Sequence, residues 1–201
     1  MAYTTIDDPS VYFQTVLSTS TGSALTIDTG FKPDWLWIKQ RSQANRAHSL
    51  WDSSRGATKR LQSNTDGAEE TQAGDQKTFD TNGFTVGGGS ITNENSQTFV
   101  AWQWKCNGGT SSTNSSGSIN SGVQINTTAG FSMVLYPGNE TQDATVGHGL
   151  SYAPDLVLEK RRKGGTVYWI VNRNDLEAQG TCLKYNRWPN LHLIFDTQHV
   201  V

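Results

Sequence analysis

Gly30-Phe-Lys-Pro-Asp-Trp-Leu-Trp-Ile-Lys39 is the stretch of this sequence that decides the fold. From Trp35 to Ile38 the side chains alternate across a strand, so the two tryptophans share one face while Leu36 and Ile38 share the other. Both faces are apolar, which is typical of a central strand in a packed sheet. Pro33 precedes the strand, where a backbone donor can be spared. The stretch therefore predicts a buried β-strand.

A related stretch, Gly149-Leu-Ser-Tyr-Ala-Pro-Asp-Leu-Val-Leu-Glu-Lys160, follows about 120 residues later. The blocks before the two stretches also correspond, Phe13-Gln-Thr-Val-Leu17 with Phe131-Ser-Met-Val-Leu135. Further along, the alignment places Asn82–Val86 against Asn190–Ile194, so the second copy is expected to end before a counterpart of Thr98–Lys105. A duplicated β unit is more common in structural and adhesive proteins than in small-molecule enzymes.

The alternation and the repeat predict an all-β fold, an antiparallel β-sandwich made of two related repeats, the second of them incomplete. No segment keeps a 3.6-residue period for three turns, so no long helix is expected. The expected divisions are an N-terminal arm at 1–11, a first repeat at 12–108, a linker rich in Gly, Ser and Asn at 109–126, and a shortened second repeat at 127–201. The arm has too few apolar groups to offset its ordering entropy, so it is expected to be ordered only through contacts with another subunit.

The composition excludes several classes of function. A net charge of −2 gives no electrostatic reason to expect nucleic acid or an anionic membrane as a partner. No run of ~20 apolar residues is present, so membrane insertion is not expected. The N-terminus has neither a basic region nor an apolar region of the kind found in secretory signals. A chain made in the cytoplasm but composed like an extracellular adhesin suggests a virus particle released by lysis.

The sequence contains no recognisable metal-binding or cofactor-binding motif. His48, His148, His192 and His199 lack any metal-binding spacing, so neither a metal nor a cofactor is expected. The two cysteines, Cys106 and Cys182, are not a disulfide framework, and the sequence leaves open whether they pair.

Two acidic motifs have a catalytic and a structural interpretation. Asp34 and Asp155 occupy the same repeat position, and a glycosidase needs two carboxylates ~5–10 Å apart. The structural alternative is an aspartate that accepts backbone N–H bonds where a strand begins, and we favour it. Asp52 and Arg55 could clamp a ligand, but a hydrogen-bonded hairpin is the favoured interpretation. No catalytic residue is therefore assigned.

The seven tryptophans are the remaining candidates. Exposed tryptophan rings can stack on the apolar faces of sugars, whereas paired tryptophans on a strand more often pack between sheets. We expect Trp35 or Trp37, and Trp102 or Trp104, to lie in the core. Trp188 lies in a predicted loop and is the candidate for an exposed ligand contact. The other two are Trp51 and Trp169.

The sequence resembles a family of tailed-phage proteins that is abundant among marine phages and described as tail-fibre or virion structural proteins. The resemblance rests on ordered motifs across residues 3–172, among them Asp52-Ser-Ser-Arg-Gly-Ala-Thr-Lys59, Asp80-Thr-Asn-Gly-Phe-Thr85 and Val100-Ala-Trp-Gln-Trp-Lys105. It implies a concanavalin-like or jelly-roll-like β-sandwich and a place on the virion, and it supplies no catalytic site.

Together these observations predict a non-enzymatic virion surface protein of a tailed bacteriophage, as a capsid-decorating, head-fibre or tail-fibre subunit. Its expected partners are other virion proteins and copies of itself. The alternative is a lectin-like adhesin at a tail-fibre tip, with a cell-surface glycan as its ligand. A glycan-cleaving enzyme is the third hypothesis, and the lack of a convincing acid–base pair argues against it.

Overall fold

The computed structural model describes residue 6 and residues 8–164, 167–173, 182–184 and 190–195, with residues 172–173, 182–184 and 190–195 described by their backbone only. Almost all of the regular structure is β, with 43% strand and 4% helix. Every pairing between named strands is antiparallel. The predicted all-β, antiparallel fold is therefore confirmed.

Residues 9–108 form one compact unit, called here the N-terminal unit, and residues 109–201 belong to a second, the C-terminal unit. The N-terminal unit begins with a 3-10 turn, Pro9–Val11, and contains a short helix, α1 (Ser90–Asn93). Its strands are β1 (Phe13–Thr19), β2 (Leu25–Asp28), β3 (Trp35–Gln40), β4 (Ser49–Asp52), β5 (Lys59–Gln62), β6 (Glu70–Thr71), β7 (Gln76–Asp80), β8 (Gly83–Val86) and β9 (Thr98–Trp104).

Two sheets make up the N-terminal unit. The larger has the strand order β1-β9-β3-β4-β5-β6, and the smaller has the order β2-β8-β7. Their facing side chains form one apolar cluster, to which the large sheet gives Leu36, Ile38, Trp51, Phe99 and Ala101 and the small sheet gives Phe84 and Val86. The core thus lies between two antiparallel layers, an arrangement consistent with a β-sandwich.

The described strands of the C-terminal unit are β10 (Ser112–Asn114), β11 (Ser121–Asn126), β12 (Phe131–Tyr136), β13 (Thr145–Gly147), β14 (Leu156–Arg161), β15 (Ile170–Arg173), β16 (Cys182–Lys184) and β17 (Asn190–Phe195). Six of them form a sheet in the order β10-β11-β12-β17-β14-β15, and β13 pairs with β16. Val134, Tyr136 and Val157 of the sheet pack in one cluster with Val146 of β13.

The two units share a strand pattern. In the N-terminal unit, four neighbouring strands have the order β1-β9-β3-β4. The strand that comes last in the sequence, β9, therefore lies between β1 and β3. The C-terminal unit has the run β12-β17-β14-β15, again with the last strand inserted between the first two. Trp35 begins β3 and Leu156 begins β14, so the two Pro-Asp motifs directly precede strands in corresponding positions.

This strand pattern corrects the sequence alignment at one point. The strand at Asn190–Phe195 pairs with both β12 and β14, which is how β9 pairs with β1 and β3. It therefore corresponds to β9, whereas the alignment had matched it to Asn82–Val86. The strand that corresponds to β8 is β16, because it pairs with β13 as β8 pairs with β2.

The predicted linker at 109–126 is also corrected. Its last third is β11, which pairs with β12 and buries Val123. A polar composition had indicated a linker, but alternation of Val123 and Ile125 is sufficient for a strand at this position. The predicted N-terminal arm, by contrast, lies largely outside the described residues.

Candidate functional site: an aromatic sheet face and an open edge

A row of aromatic rings crosses the large sheet of the N-terminal unit on the face opposite its core. Phe13, Trp104 and Trp35 lie side by side in register on β1, β9 and β3. The Phe13 and Trp104 ring centroids are 4.8 Å apart, and Trp104 stacks on Trp35 at 4.4 Å. Contacts of this geometry add to the free energy gained from burial alone.

A second line of rings runs beside the first. Trp102 and Trp37 are register partners, and their rings meet edge to face at 6.2 Å. Trp37 also lies 5.9 Å from Trp35, so the two lines form one surface. We call Phe13, Trp35, Trp37, Trp102 and Trp104 the aromatic face.

The aromatic face differs from what the sequence predicted. The core cluster uses Leu36, Phe99 and Ala101, whose side chains point to the other side of the same sheet. Trp35 is buried, as expected, but neither Trp102 nor Trp104 is, since both are half-buried. Trp51, on the inner face, is the tryptophan that packs in the core.

His48 borders the aromatic face and is held as a neutral ring. The indole N–H of Trp37 donates to Nδ1 of His48 over 2.8 Å, which requires an unprotonated Nδ1. Burial of the imidazole, and secondarily the positive charge of Lys39, lower the pKa of His48 below its ordinary value of 6.5. The face thus combines half-buried indoles with one polar, uncharged group at its border.

The surroundings of Asp34 favour the structural interpretation of this residue over the catalytic one. Its carboxylate is fully buried and accepts hydrogen bonds from the Ser53 hydroxyl at 2.7 Å and from the N–H groups of Cys106 at 2.7 Å and Gly108 at 2.9 Å. These donors tie the start of β3 to the loop after β9, in the way proposed for an aspartate beside a strand. Asp155 is half-buried.

Asp52 and Arg55 form the hairpin that the sequence favoured over a ligand clamp. The Asp52 carboxylate accepts bonds from the backbone N–H and the guanidinium of Arg55. The same guanidinium reaches Glu69 at 3.1 Å and the Leu50 carbonyl at 3.2 Å, and its side chain is fully buried. Its charge is therefore engaged by protein groups and is not presented to a ligand.

The other histidines and the cysteines add no assigned site. His148 is buried, where Nδ1 accepts the Leu150 N–H at 3.2 Å and the carbonyl accepts the Ser132 hydroxyl at 2.6 Å. Across the residues that the structure describes, no three His, Cys, Asp or Glu side chains gather as a metal site would require. Cys106 is buried. The side chains of His192 and Cys182, and all of His199 and Trp188, lie outside the described residues, so the candidate contact Trp188 stays a prediction.

The aromatic face ends at β1, which is an edge strand. Among the described residues β1 has one sheet neighbour, β9. Val11 in the preceding turn is 43% exposed, and Phe13 and Leu17 of β1 are 37% and 61% exposed with the exposed Thr15 between them. We call these three apolar side chains the apolar strip. Sequence patterning predicted the strand at β1 but contained no signal for which of its sides would lack a neighbour.

The chain is an all-β protein made of two antiparallel units, one of which has an aromatic outer face. A family model described as Domain of unknown function (DUF7483) matches residues 8–191, and the chain belongs to that family. No curated protein and no solved structure matches the chain. The helices found in the described part of the chain are too short and too polar to cross a bilayer.

Proposed function

We propose that this chain is a non-enzymatic surface protein of a tailed-phage virion, a capsid-decorating, head-fibre or tail-fibre subunit that acts through contacts between subunits. The observation that carries the proposal is the exposed apolar strip, which consists of Phe13 and Leu17 on the open-edged strand β1 and Val11 in the turn before it. The sequence resemblance to tailed-phage structural proteins supplies the kind of particle.

The strip supports subunit contact for a physical reason. Exposed apolar side chains beside an unpaired strand edge cost free energy in water, and soluble proteins usually shield such edges. Leaving Leu17 exposed on this strand is consistent with a surface that is covered in the assembled particle.

The buried carboxylates support a non-enzymatic role. A general acid or base must exchange a proton with a substrate, which requires access and a free lone pair. Asp34, Asp52 and Asp75 are all buried and accept hydrogen bonds from protein donors, which fix them in structural roles.

The test is incorporation into particles. Tailed particles from cells that produce this chain are purified on a density gradient, and the chain is quantified in the particle band by mass spectrometry. We expect a reproducible number of copies per particle for the natural sequence and a strong loss for Leu17→Lys. Tyr152→Lys is the matched control, because Tyr152 is equally exposed at 59% but lies in a loop of the C-terminal unit. Absence of the natural chain from the particle band contradicts the proposal.

A lectin-like adhesin is the second candidate, and the aromatic face is the observation that favours it. Half-buried indoles such as Trp37 and Trp102 offer apolar surface to the C–H faces of a sugar ring, and the neutral His48 lies beside them. Binding is tested on a glycan array with the natural protein, Trp102→Ala and the control Tyr168→Ala, which removes an exposed aromatic ring of the other unit. Binding that is lost only in Trp102→Ala would favour the adhesin over the structural subunit.

A further inference from the structure

The open edge of β1 presents a defined set of backbone groups. In an antiparallel pair, alternate residues direct both N–H and C=O toward the partner strand. The Tyr12 carbonyl accepts the Lys105 N–H and the Ser20 N–H donates to the Gln97 carbonyl, both over 2.8 Å, so the even-numbered residues face β9. The residues that direct their N–H and C=O groups away from β9 are therefore Phe13, Thr15, Leu17 and Thr19.

Nothing in the strand protects this edge. Phe13–Thr19 contains no charged residue and no proline, which are two of the usual devices that prevent strands from pairing between molecules. At seven residues, β1 is also longer than the commonest strand length of about 5–6 residues. An edge of this kind is a template for another strand.

The C-terminal unit contains such an added strand at the corresponding position. Its strand β12 corresponds to β1 in the shared pattern, and β12 pairs with β17 on one side and with β11 on the other. Val134 of β12, for example, is the register partner of Val123 on β11. The architecture of the sheet thus accommodates a strand on the side where β1 has none among the described residues.

We propose that a second copy of this chain covers the edge, through antiparallel pairing of β1 with β1 of the other copy about a two-fold axis at Val16. The inference rests on the proposed function and names the partner for its subunit contact. The large sheet of the N-terminal unit in one copy and the same sheet in the other copy then form one continuous sheet. Such an isologous contact closes on itself and gives a dimer.

The register follows from the positions of the outward-facing groups. With the axis at Val16, Phe13 lies opposite Thr19 of the second copy and Thr15 lies opposite Leu17. This register alone uses all four outward-facing residues of both strands. If the axis is moved to Thr15 or Leu17, at least one outward-facing residue of each strand no longer has a hydrogen-bonded partner in the other strand. No like charges meet in any of these pairs, because the strand carries no charge.

The first experiment introduces one additional cysteine at a time into the full chain, which keeps its natural Cys106 and Cys182, and applies mild oxidation. At the axis, Val16 meets its own copy in a non-hydrogen-bonded pair with Cα atoms about 4.5 Å apart, within the range that a disulfide spans. We expect Val16→Cys to form a covalent dimer, and Thr15→Cys and Leu17→Cys to remain largely monomeric on a denaturing gel. The natural chain and Tyr152→Cys measure the background from Cys106, Cys182 and random collision. Stronger cross-linking at position 15 or 17 than at position 16 overturns the register, and no cross-linking above background at any position overturns the dimer.

The second experiment needs no disulfide. Sedimentation of the natural protein should give about twice the chain mass of 22.0 kDa. Thr15→Lys with Leu17→Lys places like charges opposite one another across the axis and should give a monomer. Thr15→Lys with Leu17→Glu places opposite charges there and should restore the dimer. Circular dichroism shows whether each variant is folded. A folded lysine–lysine variant that remains dimeric overturns the proposal.

The outcomes separate this inference from the proposed function. A monomeric natural protein that nonetheless enters particles leaves the virion role intact and removes the β1 dimer. A β1 dimer that never enters particles removes the virion role and leaves the contact intact.

Discussion

Trp35 and Trp104 stack with their ring centroids 4.4 Å apart, on the side of the large sheet that points away from Leu36 and the core. The stacked rings connect β3 and β9 on the outer face of the large sheet. On its inner face, Leu36 and Ile38 of β3 pack against the small sheet. The central strands of this sheet are therefore apolar on both faces, and the outer aromatic rings contribute to stability as well as to surface.

Burial should separate the energetic roles of the rings. Trp35→Ala removes a buried side chain and should lower the free energy of unfolding by about 3–5 kcal/mol. Trp102→Ala removes a half-buried ring and should cost clearly less. Urea denaturation followed by far-ultraviolet circular dichroism measures both. Equal losses in the two variants would mean that Trp102 is packed as fully as Trp35.

The pH dependence of stability should contain a contribution from His48. Its pKa is lower in the folded protein than the unfolded value of 6.5, so the unfolded chain binds a proton first as the pH falls. The contribution is therefore fully present above pH 6.5 and is lost as the pH falls through the folded pKa. In His48→Gln, the amide oxygen can still accept the Trp37 N–H but does not titrate.

The difference in unfolding free energy between the natural protein and His48→Gln is measured from pH 8 to pH 5. It should be constant above pH 6.5 and should move in favour of the glutamine variant below it. A difference that moves in the opposite direction would show that the folded protein stabilises the charged imidazole.

Asp34 should be a structural residue with a large effect. In Asp34→Asn one side-chain oxygen is left, so either the Ser53 hydroxyl or the Cys106 and Gly108 N–H groups lose their acceptor, and the bonds that remain are no longer made to a charged group. Loss of a hydrogen bond to a charged group typically costs about 1.5–3 kcal/mol, so we expect destabilisation of at least that size in thermal or urea unfolding. Asp155→Asn, at the half-buried counterpart, is the control and should cost less. Unchanged stability in Asp34→Asn would reopen a role for this carboxylate outside the fold.

Gln103 offers a stabilising substitution. Its side chain is fully buried on β9, and neither its amide oxygen nor its amide nitrogen has a hydrogen-bond partner among the described residues. Replacement by methionine keeps the length of the side chain and removes the desolvation cost of an unpaired amide, about 1–3 kcal/mol. We expect Gln103→Met to raise the unfolding midpoint. A lower midpoint would mean that the amide makes a favourable interaction in solution.

Sequence alternation was sufficient to find β3 but not to orient it. Trp35-Leu-Trp-Ile38 shows which side chains share a face, yet both faces are apolar, so the pattern cannot tell which one meets the second layer. The structure assigns the inner side to Leu36 and Ile38. This assignment depends on Phe84 and Val86, which lie far away in the sequence, and local periodicity carries no information about them.

The order of strands was beyond the sequence for a similar reason. The apolar pattern of residues 191–194 resembles that of β8 as well as that of β9. Sequence similarity alone therefore matched this segment to β8, which is the wrong strand. Its hydrogen bonds to both β12 and β14 identify it as the central strand. The open side of β1, and with it the candidate contact surface, likewise depends on which strands are neighbours.

The position of β9 has a consequence for how the chain is made. It is the last strand of the N-terminal unit to leave the ribosome, yet it lies between β1 and β3 and pairs with both. Until Thr98–Trp104 has emerged, β1 and β3 lack the strand that pairs with both of them. A strand of similar alternation, including β9 of a neighbouring nascent chain, can pair with them in its place. Synthesis on crowded polysomes is therefore the stage at which this protein is most exposed to strand exchange.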